Sequence, residues 1–559
     1  MSVFIGYPSF MAYQMMKGKK GNNDGFPSIP GMIARYSALG LTNEQMATNP
    51  VWVDKTGNGH DLQMKNFAWS GISGVGGYVQ NFNYFRNNTT VDRVRIDEQS
   101  SNSIKVSILD TKVNNAIYIP KNIYQFNKSY FIKISSEGYN EGDLSLLFYA
   151  PSTSTVTTVK VSLNPNGITE IPAIKEDDFL AVYLSVGGKA GSITIEQLPL
   201  YSGALVFDGV DDYGVCDNFP ILTKEKGYTV VALRQWITSG EGALGLVSNV
   251  KNWLNDGAFL LEYRNIQANH FNKPISFGAI GSENDLPHIL TYQTSKSYNG
   301  VSITTGNFEG TDVLHVGKLA PTNVGTCINA AIWETVFLDH DATEEELTKI
   351  KDYFVKTYPW LFPDQAWTVV GKTNEDEDRA TIANITGNGN DLVLSNFGFA
   401  EGSGYNEEGE YAGYLVTDGV DDKITSSTFE MGNDWTVIGD WELINTGKND
   451  NAGIVKFDSI VIYNYNPILI NIKNGRNNLI PDQNTVNAIC SDGRIYSKDW
   501  KESIYNEETE STSKNLLTIG YSGNSYTKIA FKNLAIYPTV LSKEDCIKAY
   551  NYLQTLKAK

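Results

Sequence analysis

The sequence has few of the residues from which most metal and redox sites are built. It contains 4 cysteines and 5 histidines in 559 residues, with no CxxC pair and no HExxH motif. Zinc needs Cys or His ligands clustered at short spacings, and this sequence offers no such cluster. We therefore predict no metal site, no cofactor, and free thiols at Cys216, Cys327, Cys490 and Cys546.

Positive charge and long apolar runs are also scarce. The 45 basic residues are outnumbered by 63 acidic ones, and the formal net charge of −18 weakens binding to phosphate backbones and anionic lipids. No apolar run is long enough to span a bilayer. The N-terminal lysines follow the apolar residues, the reverse of a secretory signal. We expect synthesis in the cytosol, no signal peptide, no membrane insertion and no nucleic-acid partner.

The residues that are abundant are typical of β-sheet proteins. The 50 glycines, 31 tyrosines and a charged fraction of only 19% favour strands joined by tight turns. A hydrophobic fraction of 41% is enough for ordinary globular cores. The length indicates about three or four separately cored units, and we predict an all-β fold.

A repeat organises the chain. TGNGHDL at 56–62 returns as TGNGNDL at 386–392, an offset of 330 residues, whereas LVFDGVDD at 205–212 returns as LVTDGVDD at 415–422, an offset of 210. The smaller offset means that the first copy carries about 120 additional residues between the two blocks, which is the length of a domain. The predicted domains are an N-terminal arm at 1–30, a first β-sandwich at 31–362 with a smaller β-sandwich inserted at 84–202, and a second β-sandwich at 363–559.

The inserted segment alternates apolar and polar residues, as strands with one buried face do. Asn166 and Gly167 predict a hairpin turn, because both residues tolerate positive φ. The predicted strands are 104–108, 130–134, 146–149, 159–163 and 181–186.

Each copy closes with an apolar strand and a capped helix. Thr343 with Glu346, and Ser542 with Asp545, have the spacing at which side chain and backbone satisfy each other's unpaired groups. Apolar residues then follow at helical intervals in both copies. Two prolines, Pro359 and Pro363, end the first copy.

These signatures resemble the laminin G-like and concanavalin A-like superfamily of jelly-roll domains. The resemblance rests on residues 205–213 with 331–354, and on residues 415–423 with 535–553. It implies two concanavalin-like β-sandwiches with short closing helices. In the second copy Thr417 and Lys423 replace the usual aromatic residues, so we expect that strand end to be more exposed.

The segments 371–380 and 386–392 also resemble structural proteins of crAss-like and related phages of gut Bacteroidales. This resemblance implies a virion protein, a head or tail fibre or decoration component, whose partners are capsid or tail proteins. It also implies a homo-oligomer, with a homotrimer favoured because phage fibres are commonly trimeric. The alternative hypothesis is a soluble lectin-like protein of a gut bacterium. Under either hypothesis a host-surface glycan is a candidate ligand.

Three polar motifs have a functional and a structural interpretation. The carboxylates of DGVDD could attract calcium, but Asp and Gly also form tight turns, and we assign no metal. The TGNGxDL motif lacks the lysine and the strand-loop-helix context of a phosphate loop, so we predict a turn. The acidic run 375–378 is interpreted as a solvated face near a helix start.

Catalytic residues are not evident in the sequence. Glycosidases of this fold need two carboxylates on a strand beside the sugar, and no apolar strand carries such a pair. We predict a protein that is not an enzyme, with no catalytic residues. Several aromatic residues could stack on sugars, although burial in a sandwich core is the commoner role and we assign no sugar site: Trp52, Trp69, Trp236, Trp253, Tyr405 and Tyr411.

The N-terminal arm has no counterpart in the second copy. Residues 1–16 are rich in Met, Phe and Tyr, and a Lys- and Gly-rich stretch follows at 17–21. A segment this apolar is too short for a core of its own and should be buried against another chain. We predict that it anchors the protein to the phage particle or to sister subunits. The alternative is a first strand of the first sandwich.

Overall fold

The computed structural model describes residues 24–558 apart from 151–157, 177–178, 224, 239–244, 250–258, 264–266, 271–272, 277–285, 287–288, 303–309, 319–326, 445–452, 458–459, 464–468, 473–475, 480–485, 499, 505–514 and 523–524. In these residues the regular structure is almost entirely antiparallel β-sheet, which confirms the predicted all-β fold class. No helix in this part of the chain is long and apolar enough to cross a membrane. The arm residues 1–23 lie outside the described residues.

The strands and helices follow one another along the chain in four segments. The first contains β1 (Met32–Ser37), α1 (Asn43–Thr48), β2 (Val51–Trp52), β3 (Leu62–Lys65) and β4 (Gly74–Val75). The second contains β5 (Arg86–Asn87), β6 (Val94–Gln99), β7 (Ser103–Ile108), β8 (Asn115–Pro120), β9 (Tyr130–Glu137), β10 (Ser145–Tyr149), β11 (Val159–Ser162), β12 (Ile168–Ile171), β13 (Ala181–Ser185) and β14 (Gly191–Gln197). The third contains β15 (Leu205–Asp208), β16 (Tyr213–Cys216), β17 (Thr229–Trp236), β18 (Gly245–Ser248), β19 (Phe259–Tyr263), β20 (Gln267–His270), β21 (Lys273–Ser276), β22 (Leu290–Thr294), β23 (Ser297–Tyr298), β24 (Val301–Ser302), β25 (Leu314–Val316), β26 (Asn329–Leu338) and α2 (Glu344–Thr357). The fourth contains β27 (Gln365–Thr368), β28 (Thr381–Ile382), β29 (Leu392–Ser395), β30 (Gly404–Tyr405), β31 (Leu415–Val416), β32 (Lys423–Phe429), β33 (Thr436–Leu443), β34 (Gly453–Phe457), β35 (Ile460–Tyr463), β36 (Leu469–Ile472), β37 (Arg476–Leu479), β38 (Val486–Cys490), β39 (Arg494–Ser497), β40 (Glu502–Ile504), β41 (Asn515–Ile519), β42 (Tyr521–Ser522), β43 (Ser525–Tyr526), β44 (Ile529–Tyr537) and α3 (Lys543–Leu553).

The chain divides into two compact units, Met1–Val75 with Gly203–Thr357 and Gly76–Ser202 with Tyr358–Lys559. The first unit is a sandwich of two sheets around one core. One sheet has the order β24-β23-β22-β17-β26-β15-β4 with β1 also paired to β26, and the other has the order β2-β3-β16-β25-β18-β19-β20-β21. Large side chains such as Trp52, Phe207 and Phe337 fill the space between the sheets.

The second unit contains two sandwiches, each with its own core. The inserted sandwich has sheets in the orders β11-β10-β13-β8-β5 and β12-β9-β14-β7-β6. The other sandwich has sheets in the orders β30-β31-β44-β33-β38-β39-β40, with β27 also on β44, and β28-β29-β32-β41-β34-β35-β36-β37. Burial alternates along strands such as β7, as the sequence pattern predicts for one buried face.

The large sandwiches of the two units share their central strand pairing. Strand β26 pairs with β1, β15 and β17 in the first, and β44 pairs with β27, β31 and β33 in the second. A bulge interrupts the pairing between Leu233 and Arg234, and another between Asp440 and Trp441. The same irregularity therefore occurs at the same place in both copies.

The turn at Asn166 and Gly167 differs from the prediction. It connects β11, which belongs to one sheet of the inserted sandwich, to β12, which belongs to the other. Neither residue has a positive φ. The hairpin prediction was wrong, because the dipeptide signals a turn without specifying whether the next strand returns to the same sheet.

The predicted helix caps are confirmed. The Glu346 N–H donates to the Thr343 hydroxyl at 3.3 Å, and the Thr343 N–H donates to the Glu346 carboxylate at 2.9 Å. The Asp545 N–H donates to the Ser542 hydroxyl at 3.1 Å. All four cysteines are buried and none forms a disulfide bond, as predicted.

Candidate functional site

The DGVDD segments form the same turn in both copies. Asp208 accepts a hydrogen bond from the Val210 N–H at 2.8 Å, and Asp212 accepts one from the Asp208 N–H at 3.1 Å. In the second copy Asp418 accepts from the Val420 N–H at 2.7 Å, and Asp422 accepts from the Asp418 N–H at 2.8 Å. The turn interpretation of this motif is confirmed.

Each DGVDD turn also brings three carboxylates together. Oxygens of Asp208, Asp211 and Asp212 lie within 4.8 Å of one another, as do those of Asp418, Asp421 and Asp422. These are the residues that could hold a hard cation. The turn hydrogen bonds position two of the three carboxylates in each set, Asp208 with Asp212 and Asp418 with Asp422.

Burial changes the acidity of the last carboxylate in each turn. It raises the pKa of Asp212 to about 7 and that of Asp422 to about 6, with the neighbouring aspartates adding to the rise. The hydroxyls of Ser73 and Ser403 act in the opposite direction. Among the described residues, Oδ1 of each of these two aspartates has no hydrogen-bond partner.

The TGNGxDL segments are turns as well, and their polar atoms are used internally. The Thr56 N–H donates to Asp54 at 3.0 Å, and the Asn58 side chain donates to the Ile33 carbonyl at 2.8 Å. The equivalent bonds are Thr386 N–H to Asn384 at 3.1 Å and the Asn388 side chain to the Asp364 carbonyl at 2.8 Å. This segment ties the first strand of each large sandwich to the following loop.

The acidic run 375–378 forms turns, so the expected helix start was wrong. Asp376 accepts from the Thr373 N–H at 2.9 Å, and the same contacts lower its pKa. Lys372 lies 2.6 Å from Asp378. In the first copy the corresponding position is helix α1, whose N-cap is Thr42. Local charge alone did not distinguish a helix from a turn here.

Two asparagines that the sequence analysis missed act as strand partners. Asn43 accepts from the Val75 N–H at 2.8 Å and donates to the Val75 carbonyl at 3.3 Å. Asn374 makes the same pair with Tyr405, at 2.8 Å in both directions. The repeat contained the signal, because TNE occurs at 42–44 and again at 373–375.

The second copy is not more exposed at Thr417 and Lys423, contrary to expectation. Thr417 is fully buried, and its hydroxyl donates to the Thr527 carbonyl at 2.7 Å. Lys423 lies over the ring of Tyr521 at 5.9 Å. In the first copy the pair is reversed, with Lys318 over Tyr213 at 4.4 Å. Each copy thus keeps one cation–π contact with the partners exchanged.

The second unit contains a cleft of about 440 Å³ where the inserted sandwich meets the second large sandwich. Aromatic and charged side chains from both sandwiches line it: Phe131, Glu141, Glu170, Lys498, Trp500 and Tyr550. The ring centroids of Phe131 and Tyr550 are 5.4 Å apart, and those of Trp500 and Tyr550 are 5.6 Å apart, both pairs edge to face. Trp500 has φ of 57°, a conformation that bulky residues rarely adopt.

Glu170 is the partly buried carboxylate of this cleft. Burial raises its pKa, Lys532 opposes the rise and Asp440 adds to it. Within the described residues the Glu170 side chain accepts no hydrogen bond and forms no ion pair. The neighbouring Asp440, in contrast, accepts from Tyr414 at 3.0 Å and from Gln554 at 3.1 Å.

The aromatic residues considered in the sequence analysis are not part of this cleft. Trp52, Trp236 and Tyr405 are buried, whereas Trp69 and Tyr411 are partly exposed. Trp253 lies outside the described residues. Sequence reasoning missed Trp500 and Tyr550, because the cleft depends on contacts between segments far apart in the chain.

No family model and no curated protein matches the sequence. Among solved structures, the chain is similar to the Trypanosoma rangeli sialidase in complex with sialic acid, at 9% identity and a TM-score of 0.27, over 87% of this chain and 97% of that one. It is also similar to the botulinum neurotoxin serotype D binding domain, at 10% identity and a TM-score of 0.24, over 62% of this chain and 90% of that one. A third similar structure is the CBM22-1-CBM22-2 tandem domain of Paenibacillus barcinonensis Xyn10C. The identity is 9% and the TM-score is 0.16, over 50% of this chain and 96% of that one. TM-scores this low identify no shared site or function.

Proposed function

We propose that the chain is a non-enzymatic structural protein of a phage particle, a head or tail fibre or decoration component. The proposal rests on one observation: the polar motifs of both copies make hydrogen bonds within the protein. TGNGxDL and DGVDD form matching sets of internal hydrogen bonds in the two copies. Their side chains support rigid sandwiches, which is what a spacer or contact module requires.

The resemblance of 371–380 and 386–392 to proteins of crAss-like phages supports the location in a virion. The net charge of −18 fits partners other than nucleic acid. In this proposal the arm at 1–30 binds capsid or tail proteins, and the functional unit is a homo-oligomer, with a homotrimer favoured.

Quantitative mass spectrometry of gradient-purified particles tests the proposal. We expect the protein at a constant copy number per particle, in proportion to the major capsid protein. A non-virion protein of the same phage is the control for contamination. Recovery of the protein only from the soluble lysate, at the level of the control, would contradict the proposal.

A second candidate function is binding of a glycan, as an adhesion module of the particle or as a soluble lectin-like protein of a gut bacterium. The cleft that contains Glu170 and Trp500 favours it, because ligand sites combine apolar walls with a few polar groups. Incubation with gut polysaccharides should give binding without release of reducing sugar. Sustained sugar release that one carboxylate substitution abolishes would show an enzyme instead.

A further inference from the structure

We infer that the cleft of the second unit binds a neutral oligosaccharide, with Glu170 as an acceptor for sugar hydroxyl groups. This inference rests on the glycan-binding part of the proposed function and assigns the binding to this cleft. The cleft volume of about 440 Å³ lies within the usual range for ligand sites, about 300–1,000 Å³.

Glu170 has a carboxylate that the described residues do not pair. Glu170 is half-buried at the cleft, and its oxygens are not among the fully enclosed unpaired atoms of the described residues, so a ligand in the cleft can reach them. Lys532 and Asp440 influence Glu170 only through their charge, since the described residues give it no hydrogen bond or ion pair. Asp440 is already satisfied by Tyr414 and Gln554. A hydroxyl-bearing ligand in the cleft would give Glu170 the charge-assisted bonds that it lacks.

Aromatic side chains line the same cleft as Glu170. Phe131, Trp500 and Tyr550 form a connected aromatic cluster that lines the cleft. Aromatic rings combined with carboxylates and amides suit pyranose rings, which have apolar C–H faces and polar edges. Asn487, which also lines the cleft and is almost fully buried, adds an amide.

The backbone conformation of Trp500 also indicates a functional site at the cleft. Its left-handed conformation costs about 1–2 kcal/mol for a residue with a side chain. Residues held in such conformations often cluster at functional sites. Packing against Tyr496 and Tyr550 holds the indole at the cleft despite this cost.

The charges select among sugars. Glu141, Glu170 and Lys498 line the cleft, and Lys501 lies 3.5 Å from Glu141. Glu442, 3.3 Å from Lys498, adds a third carboxylate, so three carboxylates stand against two lysines. An anionic sugar would meet net negative charge, whereas a neutral sugar would not. The expected ligand is therefore a neutral saccharide of about two or three rings.

The test measures binding of the full chain to maltotriose, cellotriose, triacetylchitotriose and 3′-sialyllactose by saturation-transfer NMR and calorimetry. We expect millimolar or tighter binding of at least one neutral trisaccharide and weaker binding of sialyllactose. Glu170→Gln should weaken the neutral complex about tenfold or more, as loss of a charged acceptor does. The matched control is Glu196→Gln, an exposed carboxylate of strand β14 outside the cleft, which should bind like wild type.

Three results would overturn the inference: no neutral trisaccharide bound at millimolar concentration, equal affinities for wild type and Glu170→Gln, or a preference for sialyllactose. If Glu170→Gln does not fold, hydrogen–deuterium exchange of the wild-type chain decides. Saccharide should then protect residues 162–172 and 486–498, and unchanged exchange there would refute the site. Absence of the protein from purified particles, with saccharide binding intact, would overturn the virion proposal and leave the cleft assignment standing.

Discussion

Asp212 and Asp422 are fully buried carboxylates at the same position of the two large sandwiches. Their acceptor role in the turn explains why the position is kept, and their burial explains why ionisation there is unfavourable. The rise in the pKa of Asp212 from 3.8 to about 7 corresponds to roughly 4 kcal/mol between the two protonation states. Ionisation of Asp212 should therefore produce a measurable pH dependence of the free energy of unfolding.

Asp212→Asn should reduce the loss of stability between pH 4 and pH 7. The folded-state pKa lies above the unfolded value, so the folded state holds the proton more tightly. Stability contributed by the protonated form is present near pH 4 and is lost as the pH rises through about 7. The variant cannot ionise and should gain a few kcal/mol relative to wild type across this range in denaturant unfolding. Asp312→Asn, an exposed carboxyl, should follow wild type, and a parallel profile for Asp212→Asn would refute the assignment.

Gly317 and Gly520 have the same kind of backbone conformation but different neighbours, so the same substitution can be compared at both. Both have positive φ, 83° and 75°, but a Cβ on Gly317 would lie 2.5 Å from the Phe207 ring, whereas one on Gly520 would lie 3.2 Å from the Thr417 methyl group. Gly520→Ala should cost about 1–2 kcal/mol of unfolding free energy from the backbone alone. Gly317→Ala should cost about 1–3 kcal/mol more because the ring must move. Equal losses in chemical denaturation would show that Phe207 moves freely.

At the scale of elements, the exchanged cation–π pair joins strand β16 to Lys318, the second residue after β25, in the first copy. The second copy joins β32 to β42 with the roles reversed. The two strand ends therefore tolerate either order, provided that one partner is aromatic and the other cationic.

The double substitution Tyr213→Lys with Lys318→Tyr should keep most of the stability that each single substitution loses. Each single variant places like side chains together and should cost about 0.5–1 kcal/mol. Unfolding free energies of the four proteins give the coupling energy of the pair. Additive losses in the double variant would mean that the contact contributes nothing.

The strands and the cleft differ in how far the sequence predicts them. Alternation located the strands of the inserted segment, and the repeat located both DGVDD turns, since these signals are local. Sheet membership is not local, which is why Asn166 and Gly167 were assigned to the wrong kind of turn. Glu170 and Tyr550 are 380 positions apart, and only tertiary packing brings them to one cleft.

At the scale of the whole molecule, the chain passes three times between its two compact units, after Val75, Ser202 and Thr357. The last residues of the predicted arm, from Asp24 onward, contact the first unit. Asp24 lies 2.8 Å from Arg35, and the Phe26 ring lies 4.8 Å from that of Tyr353. A deletion that ends at Gly21 therefore leaves these contacts intact.

The oligomeric state of the full chain is predicted to be a homotrimer. Sedimentation equilibrium should give three times the chain mass of 61.8 kDa. The protein without Met1–Gly21 provides the comparison. Under the arm hypothesis, this segment makes the contacts with sister subunits or with the particle. A monomer at all concentrations for the full chain would contradict the trimer prediction.

Incorporation of the full-length and truncated proteins into particles tests the central claim most directly. Particles from a host that supplies either the full chain or the chain without Met1–Gly21 are purified, and the copies per particle are counted by mass spectrometry. Thermal unfolding of the two proteins is compared first, and we expect equal midpoints. The account predicts a constant copy number for the full chain and none for the truncated one. Equal incorporation of both, or absence of both, would contradict it.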